Sequence, residues 1–401
     1  MKKVLAAWTL YDFGSSAFAA IIQTFLFAPF FIQQIAQTPL EGSIIWGYAN
    51  GGAGVAVAIL SPLLGAIADK TGKRRLWLLT FTLLCVGAIF FLGTLPTSAP
   101  LSFWIFLIIA ATIGGECAFV FYNAYLPDLA PQGAIGKWSG WGWALGYLGG
   151  LCSLLVAWQA ARWGIRASFL VAGAWYMIFA FPFLLLAPVI PSKTSLADGA
   201  KQGIKELGKT VLEVGKYRHI ALFLLAHLLY IDGLTTLFVF GGAYANALFG
   251  IEGGGLFLFG ILLHVTAGLG SLIFSFADDL LGPKRLILLC LGFLICLTSV
   301  LLISYSQVTF WITGAFLGIF VGPVQAASRS WLGKAAPAKM RGEFFGLFAF
   351  SGKATAFIGP LAVGYVADAT GSLRAALSVI VFLFLVGAAL MTAVDAKPGI
   401  R

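Results

Sequence analysis

Long apolar stretches recur from one end of the chain to the other, with short polar loops between them. A bilayer core about 30 Å thick needs roughly 20 apolar residues per spanning helix, and about twelve stretches reach that length. The stretches do not alternate between apolar and polar residues, so they predict membrane-spanning helices rather than barrel strands. The predicted spans cover residues 6–34, 43–68, 76–95, 101–126, 138–161, 166–190, 218–247, 255–278, 285–305, 308–330, 343–367 and 373–394.

One long hydrophilic segment interrupts this pattern near the middle of the chain. It predicts an N-terminal six-helix bundle over 1–190, a cytoplasmic linker over 191–217 and a C-terminal six-helix bundle over 218–401. The Lys and Glu residues of the linker recur at helical spacing. That spacing fits a surface helix on the anionic inner leaflet, and it fits a solvated linker equally well.

The composition is that of an all-α polytopic membrane protein. Of the 401 residues, 60% are hydrophobic and only 10% are charged. The net charge of +10 comes from Lys and Arg residues that lie mostly in alternate loops, which by the positive-inside rule predicts that both termini are cytoplasmic. The charge therefore sets topology in a cytoplasmic (inner) membrane, with lipids as partners, and it implies no nucleic-acid partner.

The cysteine and histidine residues predict neither disulfides nor a metal site. All five Cys fall inside apolar spans, and the three His are widely scattered. Packing is the expected role of such buried Cys residues. The chain also lacks the GxxxxGK(S/T) phosphate loop of ATP-driven pumps. We therefore expect no metal and no cofactor. The chain is also expected to be a monomer.

Residues at a fixed separation recur between the two halves of the chain. LYDFGSS in the first span is echoed by LYIDGLTT in the seventh. Weak parallel repeats of six helices joined by a loop are typical of a major facilitator transporter. The pairs that keep one separation are Asp69 and Asp279, Gly72 and Gly282, Pro127 and Pro337, Gly142 and Gly352, and Gly149 and Gly359.

The loop between the second and third spans carries the most specific motif. Its sequence GAIADKTGKRR, residues 65–75, matches the G-x-x-x-D-(K/R)-x-G-(K/R)-(K/R) loop signature of the major facilitator superfamily. The matching positions include Gly65, Asp69 and Arg74. Gly72 permits the positive φ of a tight turn. SFADDLLGPKR, which contains Asp279, is a degenerate second copy.

The resemblance to that superfamily implies that these loops act as latches, which hold one side of the transporter closed. By analogy, Asp69 and Asp279 would pair with basic residues near Arg341 or Lys339. Arg329 near the end of the tenth span is a further candidate for gating. Simple anchoring, with its side chain reaching the membrane surface, fits Arg329 equally well.

Four further stretches refine the resemblance. They are WTLYDFGSSAFAA, YNAYLPDLA, FLLAHLLYIDGLTT and the segment from GPVQAASRSW to FSGKATAFIGP. Together they are similar to the vacuole effluxer-like branch of the superfamily, which includes autophagy-related vacuolar amino-acid effluxers of fungi. The resemblance implies an amino-acid substrate. The chain departs from the branch at Phe13-Gly14-Ser15, where an aromatic-Ala-Asn sequence is usual and where an amide is therefore lost.

Polar residues inside the spans are the candidates for substrate or proton binding. A charge in the bilayer costs several kcal/mol, so one that persists generally faces the bundle interior or a wet cavity. On a regular helix Asp12 shares a face with Ser16 and Gln23. The candidate set is Asp12, Ser16, Gln23, Glu116, Asn123, Asp232 and Lys353.

Asp232 lies near the middle of the seventh span and is a candidate to load and release a proton. A structural alternative is that Asp232 or Asp12 pairs with Lys353 or Arg329 and holds helices together. Lys353 could instead meet a substrate carboxylate. The sequence is compatible with each of these roles for Asp232, Asp12 and Lys353.

The leading functional hypothesis is a secondary transporter that moves a small organic solute by alternating access and is coupled to protons. Export of metal ions or toxic compounds is the alternative among transport functions, and a sensor without flux is a second alternative. A membrane-embedded aspartyl protease would use Asp12 and Asp232, but its G-x-G-D element is missing. We therefore expect no enzyme activity.

Overall fold

The computed structural model describes residues 2–191 and 194–395, and within these ranges the chain is built from helices joined by short loops. Twelve helical stretches are long and apolar enough to span a membrane, which confirms the predicted number. We number them spans 1 to 12. In chain order they are Lys2–Ile35, Pro39–Thr71, Arg74–Thr94, Leu101–Leu129, Ile135–Trp163, Ile165–Leu186, Gly215–Phe249, Gly254–Leu281, Pro283–Ile303, Gln307–Ala335, Ala338–Thr370 and Leu373–Thr392.

Span 1 is not a uniform α-helix. Its first part, Lys2–Ala17, is α-helical, and it is followed by the wider π-helix Phe18–Phe25. A short α-helical turn, Phe27–Phe30, and a second π segment, Phe31–Ile35, complete the span. Such π segments are rare and occur frequently at functional sites.

Span 11 is interrupted near its middle. Its first helix is Arg341–Lys353 and its second is Ile358–Thr370, with a non-helical turn at 354–357 between them. Pro360 explains the interruption, because proline has no N–H to donate to the carbonyl of Ala356 and its ring clashes with that carbonyl. At the start of the second helix, the Ile358 N–H donates to the Thr355 carbonyl, whereas the Gly359 N–H has no acceptor within the span.

The two halves of the chain repeat the same helix pairings. Spans 1 and 6, spans 3 and 4, and spans 2 and 4 pack together in the first half. The corresponding pairs 7 and 12, 9 and 10, and 8 and 10 pack together in the second half. This correspondence is what a duplicated six-helix repeat requires.

By proximity of its backbone, the chain divides into two compact units. The first unit runs to Ala130 and also contains Leu145–Gly208 and Ala338–Phe350. The second unit contains Pro131–Ala144, Lys209–Pro337 and the chain from Ser351 onward. Each unit thus includes one segment from the other half of the sequence, and the predicted bundle boundaries stay a prediction.

The hydrophilic segment in the middle of the chain contains an α-helix, Leu196–Leu212, which we name the linker helix. A short 3-10 turn, Val214–Tyr217, connects it to the α-helix Arg218–Phe249 of span 7. The helical alternative for this segment is confirmed, and its predicted position on a membrane leaflet stays a prediction.

Candidate functional site

The loop after span 2 has the predicted turn. Span 2 ends at Gly72, whose φ of 65° lies in the left-handed region, and span 3 begins at Arg74. Gly282 closes span 8 with a φ of 87° in the second copy of the motif. Both turns need glycine, because a side chain is strained at positive φ.

Asp69 caps the first helix of span 11. Its Oδ1 accepts a hydrogen bond from the Gly342 amide at 3.0 Å, and its Oδ2 accepts one from the Glu343 amide at 2.9 Å. Free N–H groups at a helix start are a favourable place for a negative charge. We name this contact the first latch.

Gly65 brings the two backbones of the first latch together. A Cβ atom at Gly65 would lie 2.1 Å from the Gly342 carbonyl oxygen, far inside van der Waals contact. The motif glycine is therefore required by the crossing of spans 2 and 11, which the loop signature alone did not reveal.

Asp279, in the second copy of the motif, makes the same kind of contact. Its Oδ1 accepts from the Gly136 amide at 2.9 Å, and its Oδ2 accepts from the Lys137 amide at 2.7 Å. These amides belong to the first turn of the helix Ile135–Ala160 in span 5. We name this contact the second latch.

The predicted pairing of Asp69 and Asp279 with basic residues near Arg341 or Lys339 holds only in part. Lys334 pairs with Asp279, and Asp69 lies beside Arg341 but binds the amides that follow it. Asp69 and Asp279 bind backbone amides rather than the side chains of Lys339 or Arg341. The guanidinium of Arg341 binds the carboxylate of Asp128 instead. A helix start offers several aligned N–H groups to a carboxylate, and the sequence does not show which helix start will be near.

A chain of charges extends the first latch. Buried Arg74 bridges two carboxylates, with 3.1 Å from Nη2 to Asp69 and 2.7 Å from Nη1 to Asp128. Asp128 also binds Arg341, so it joins both guanidinium groups. Asp128 was not among the predicted residues, although its position in YNAYLPDLA, next to the repeated Pro127, was an available signal.

The second latch has its own cation. Lys334 at the end of span 10 lies 2.9 Å from Asp278 and 3.1 Å from Asp279. This lysine was also missed, because nothing in its local sequence separates it from an ordinary charge near a span end.

The prediction that Arg329 could reach the membrane surface was wrong. Its side chain is 1% exposed, with Nε donating to Ser139 Oγ at 2.9 Å and Nη2 donating to the Ser139 carbonyl at 2.7 Å. Ser139 in turn donates to the Ala326 carbonyl. Arg329 thus fastens span 10 to the first turns of span 5.

Asp12 lies buried beside span 4. Its Oδ2 accepts a hydrogen bond of 3.1 Å from the hydroxyl of Tyr122, whose ring stacks on Trp8 and Tyr11. The Trp8 indole donates to the Tyr122 carbonyl at 3.0 Å. Two of the stretches that carry the family resemblance therefore meet at this carboxylate.

Gln23 contacts span 4, as Asp12 does, although a π-helix begins between them at Phe18. Ser16 donates to the Asp12 carbonyl, as in a regular helix. The Gln23 amide donates to Thr112 of span 4 at 2.9 Å, and the predicted common face of Asp12, Ser16 and Gln23 stays a prediction. Thr112 donates to Asn50 of span 2 at 3.3 Å, which extends the polar contact to a third helix.

Asp232 meets the interruption in span 11. Its Oδ2 accepts a hydrogen bond of 3.0 Å from the amide of Gly359, in the first turn of the second helix. The residue is 2% exposed, and its Oδ1 has no hydrogen-bond partner in the described part of the chain. Asp232 forms no ion pair there either, so its proposed pairing with Lys353 or Arg329 was wrong.

The remaining candidates lie in or beside these elements. Glu116 and Asn123 are on span 4, and Lys353 ends the first helix of span 11. Asn123 is buried, while Glu116 and Lys353 are half-buried. Their roles, like those of the other candidates, stay predictions.

Solved structures share this architecture. The human organic anion transporter MFSD10 (TETRAN) matches with a TM-score of 0.78 and 14% identity, over 97% of this chain and 99% of that one. The proton:xylose symporter XylE matches with a TM-score of 0.70 and 15% identity, over 98% of this chain and 94% of that one. The fold is therefore that of the major facilitator superfamily, as predicted.

The sequence assigns the chain more narrowly. A family model described as "Vacuole effluxer Atg22 like" matches residues 43–135 and 134–401, so the chain belongs to that family. The predicted resemblance to this branch is confirmed.

Two relatives illustrate the range of the family. The "Uncharacterized MFS-type transporter YxiO" of Bacillus subtilis (strain 168) is 28% identical over 398 residues, which cover 95% of this chain and 92% of that protein. "Autophagy-related protein 22" of Coccidioides immitis (strain RS) is 25% identical over 279 residues, which cover 63% of this chain and 46% of that protein. The chain thus spans about half the length of that fungal relative, whereas it matches nearly the whole of the bacterial one.

Proposed function

We propose that this chain is a secondary transporter that exports a small organic solute by alternating access, with an amino acid as the solute and a proton as the coupling ion. Its membrane is the cytoplasmic membrane, with both termini in the cytoplasm, and it works as a monomer. The family description supports efflux, and the name of the bacterial relative supports transport.

Asp232 is the observation that carries the proposal. A carboxylate deep in a membrane span is costly to keep charged, and here Oδ1 has no partner in the described structure. A proton added to Oδ1 removes that cost. The same residue holds the start of the second helix of span 11 through Gly359, so its charge is linked to the position of a helix.

The interrupted span supports the same assignment. Discontinuous helices in transporters place free backbone groups at substrate and ion sites. In span 11 the group of this kind is the Gly359 N–H, in the first turn of the helix that begins at Ile358, and Asp232 binds it. Neutralising Asp232 weakens this cap, because the helix dipole favours a negative charge at its start.

The two latches supply the element that must open and close. Each latch joins a span of one half of the sequence to a span of the other half, through Asp69 in the first case and Asp279 in the second. Movement of one half against the other breaks these hydrogen bonds. A bound solute or proton drives the movement only if it binds one arrangement more tightly than the other.

Polar groups suited to an amino acid are available on the candidate spans. Gln23, Asn50 and Thr112 provide neutral donors and acceptors in the first unit, and Asp12 provides a carboxylate for an ammonium group. Lys353, which belongs to the second unit, is a separate candidate to bind a carboxylate. Contact of these groups with the solute is part of the proposal.

Reconstituted protein tests the proposal directly. The full chain is placed in liposomes, and export of radiolabelled amino acids is followed with and without an imposed pH gradient. We expect exchange of at least one amino acid, accelerated by the gradient. Rates that ignore the gradient reject proton coupling, whereas exchange of divalent metals or of toxic compounds, with none of any amino acid, rejects the proposed solute.

Comparing metabolites of cells that lack or overproduce the chain gives an independent answer. Accumulation of one amino acid inside the deletion strain, with its depletion in the overproducing strain, supports export. The opposite pattern reverses the direction, and unchanged amino-acid levels in both strains contradict the solute class.

A further inference from the structure

The linker helix is docked on the end of span 2 by a face made of glycine. A Cβ atom at Gly203 would lie 2.9 Å from the Ile67 amide nitrogen, and one at Gly199 would lie 2.2 Å from Thr71 Cγ2. At Gly203 the backbone of the linker helix is therefore in direct contact with the backbone of span 2. The ion pair between Glu206 and Lys70, at 2.5 Å, closes the same face.

This docking fixes the depth of the linker helix relative to the membrane. The apolar run of span 2 ends at Ala68, directly before Asp69 and Lys70. Charged residues at the end of a spanning helix mark the boundary between hydrocarbon and headgroups. Because Gly203 touches Ile67, the linker helix lies at that boundary.

The acidic groups of the linker helix are already bound. Glu206 binds Lys70, and Asp198 accepts a hydrogen bond from Ser195. The three lysines are different, because in the described part of the structure none of them has an ion pair or a side-chain hydrogen bond. They are exposed and spaced four residues apart, so they share one face of the helix: Lys201, Lys205 and Lys209.

A separate stripe of the linker helix is apolar and uncovered. Ile204 is 54% exposed and Val211, two turns later, is 59% exposed. Burying apolar side chains is favourable, and a helix with one apolar stripe and one lysine-rich face is typical of the membrane interface.

We propose that the linker helix is a docking surface for anionic lipid headgroups. Ile204 and Val211 enter the headgroup region, while the three lysines bind the lipid phosphates. The complementary charge and the depth set by span 2 both favour lipid over a soluble partner. Through Gly203 and Glu206, lipid binding holds the end of span 2 that carries Asp69 of the first latch.

A depth measurement on the full chain tests the proposal. Ile204→Cys is labelled with the fluorophore NBD in a variant whose accessible Cys152 and Cys296 are replaced by Ser; the buried cysteines are retained. The protein is placed in nanodiscs of phosphatidylcholine alone or with phosphatidylglycerol, and quenching by spin-labelled lipid is measured. We expect stronger quenching in the anionic discs and weaker quenching when salt is raised.

Charge-matched variants separate the lysine face from net charge. Replacing Lys201, Lys205 and Lys209 by Gln should reduce the quenching in anionic discs by at least about half, since each lysine near an anionic surface contributes appreciably to binding. The control replaces Lys2, Lys3 and Lys339, which are exposed and lie outside the linker helix, by Gln. It removes the same charge and should leave quenching unchanged.

Three outcomes would overturn the proposal. They are equal quenching in neutral and anionic discs, unchanged quenching in the linker variant, and an NBD signal that depends on protein concentration without any lipid quenching. The last result would assign the stripe to a second copy of the chain. Hydrogen exchange of the unlabelled linker helix in the same discs checks that the label has not altered the helix. None of these measurements depends on transport.

Discussion

The carboxylate of Asp232 and the backbone amide of Gly359 lie 3.0 Å apart, so span 7 is bound to span 11 at the start of the second helix of span 11. A charged group in the middle of one helix thereby holds the beginning of another.

Asp232→Asn removes the charge but keeps a carbonyl oxygen that accepts from Gly359. We expect export driven by a pH gradient to fall roughly tenfold, because the proton no longer binds one arrangement preferentially. Exchange without a gradient should persist. Export and proton flux are measured together in liposomes, the latter with an internal pH-sensitive dye.

Asp368→Asn is the matched control, since Asp368 is an exposed carboxylate on the helix of span 11 that also contains Gly359. It should retain gradient-driven export. If Asp232→Asn also retained it, the coupling role of Asp232 would be disproved.

Gly359→Ala should destabilise the protein. The added Cβ would lie 2.0 Å from Thr236 Oγ1 and 3.2 Å from Asp232 Oδ1. Overpacking of this kind typically costs about 1–3 kcal/mol. Thermal unfolding in detergent measures the loss. Thr236→Ala in the same chain should restore part of it by removing the nearest atom.

Gly364→Ala serves as the comparison for this substitution, because nothing lies within 4 Å of the Cβ it would add. It should change the melting temperature little. Equal effects of the two substitutions would show that close approach at Gly359 does not matter.

Asp69→Ala should leave the protein inserted and folded while lowering transport. The substitution leaves the amides of Gly342 and Glu343 without their acceptor and removes one of the carboxylates that bind Arg74. Asp279→Ala should have a similar effect through the second latch. Transport rates are normalised to the amount of folded protein by size-exclusion chromatography. Normal transport by either variant would count against its latch.

Asp128→Asn should destabilise the protein more than Arg341→Gln does. Asp128 binds both guanidinium groups, and Arg74 is buried whereas Arg341 is partly exposed. Weakening the partner of a buried charge costs roughly 1–3 kcal/mol, while an exposed ion pair contributes about 0–1 kcal/mol. Melting temperatures of the two single variants and the double variant decide the order. Equal losses would mean that Arg74 does not depend on Asp128.

The span pattern was predictable because membrane burial is a property of long stretches. Each span needs a run of apolar residues, and the polar loops between runs are visible without any structure. The turn at Gly72 was also predictable, since its glycine stands at a fixed place in a specific loop signature. Both features depend on local sequence alone.

The partners of Asp69 and Asp279 could not be predicted in the same way. Every residue except proline carries a backbone N–H, so sequence does not reveal which amides will meet a carboxylate. The burial of Arg329 could not be predicted for a related reason. Its partner Ser139 is distant in the chain and carries no charge that would mark it as a partner.

Irregular helices were the other limit. The π-helix from Phe18 is not distinguished by its composition, so the sequence pattern predicts a regular helix along the whole of span 1. The interruption of span 11 did have a signal, because Gly352 and Pro360 stand on either side of it. Proline also occurs inside continuous spans, at Pro62 and Pro323 for example, so this signal becomes informative only with the structure.

Neither half of the chain can complete its own latch. The first turn of the helix Ile135–Ala160 leaves the ribosome long before Asp279 is made, and Asp69 must wait still longer for Gly342. The first half is therefore synthesised with the start of span 5 uncapped and with Asp69 lacking its two backbone amides. A chain truncated after span 6 would keep both contacts unmade.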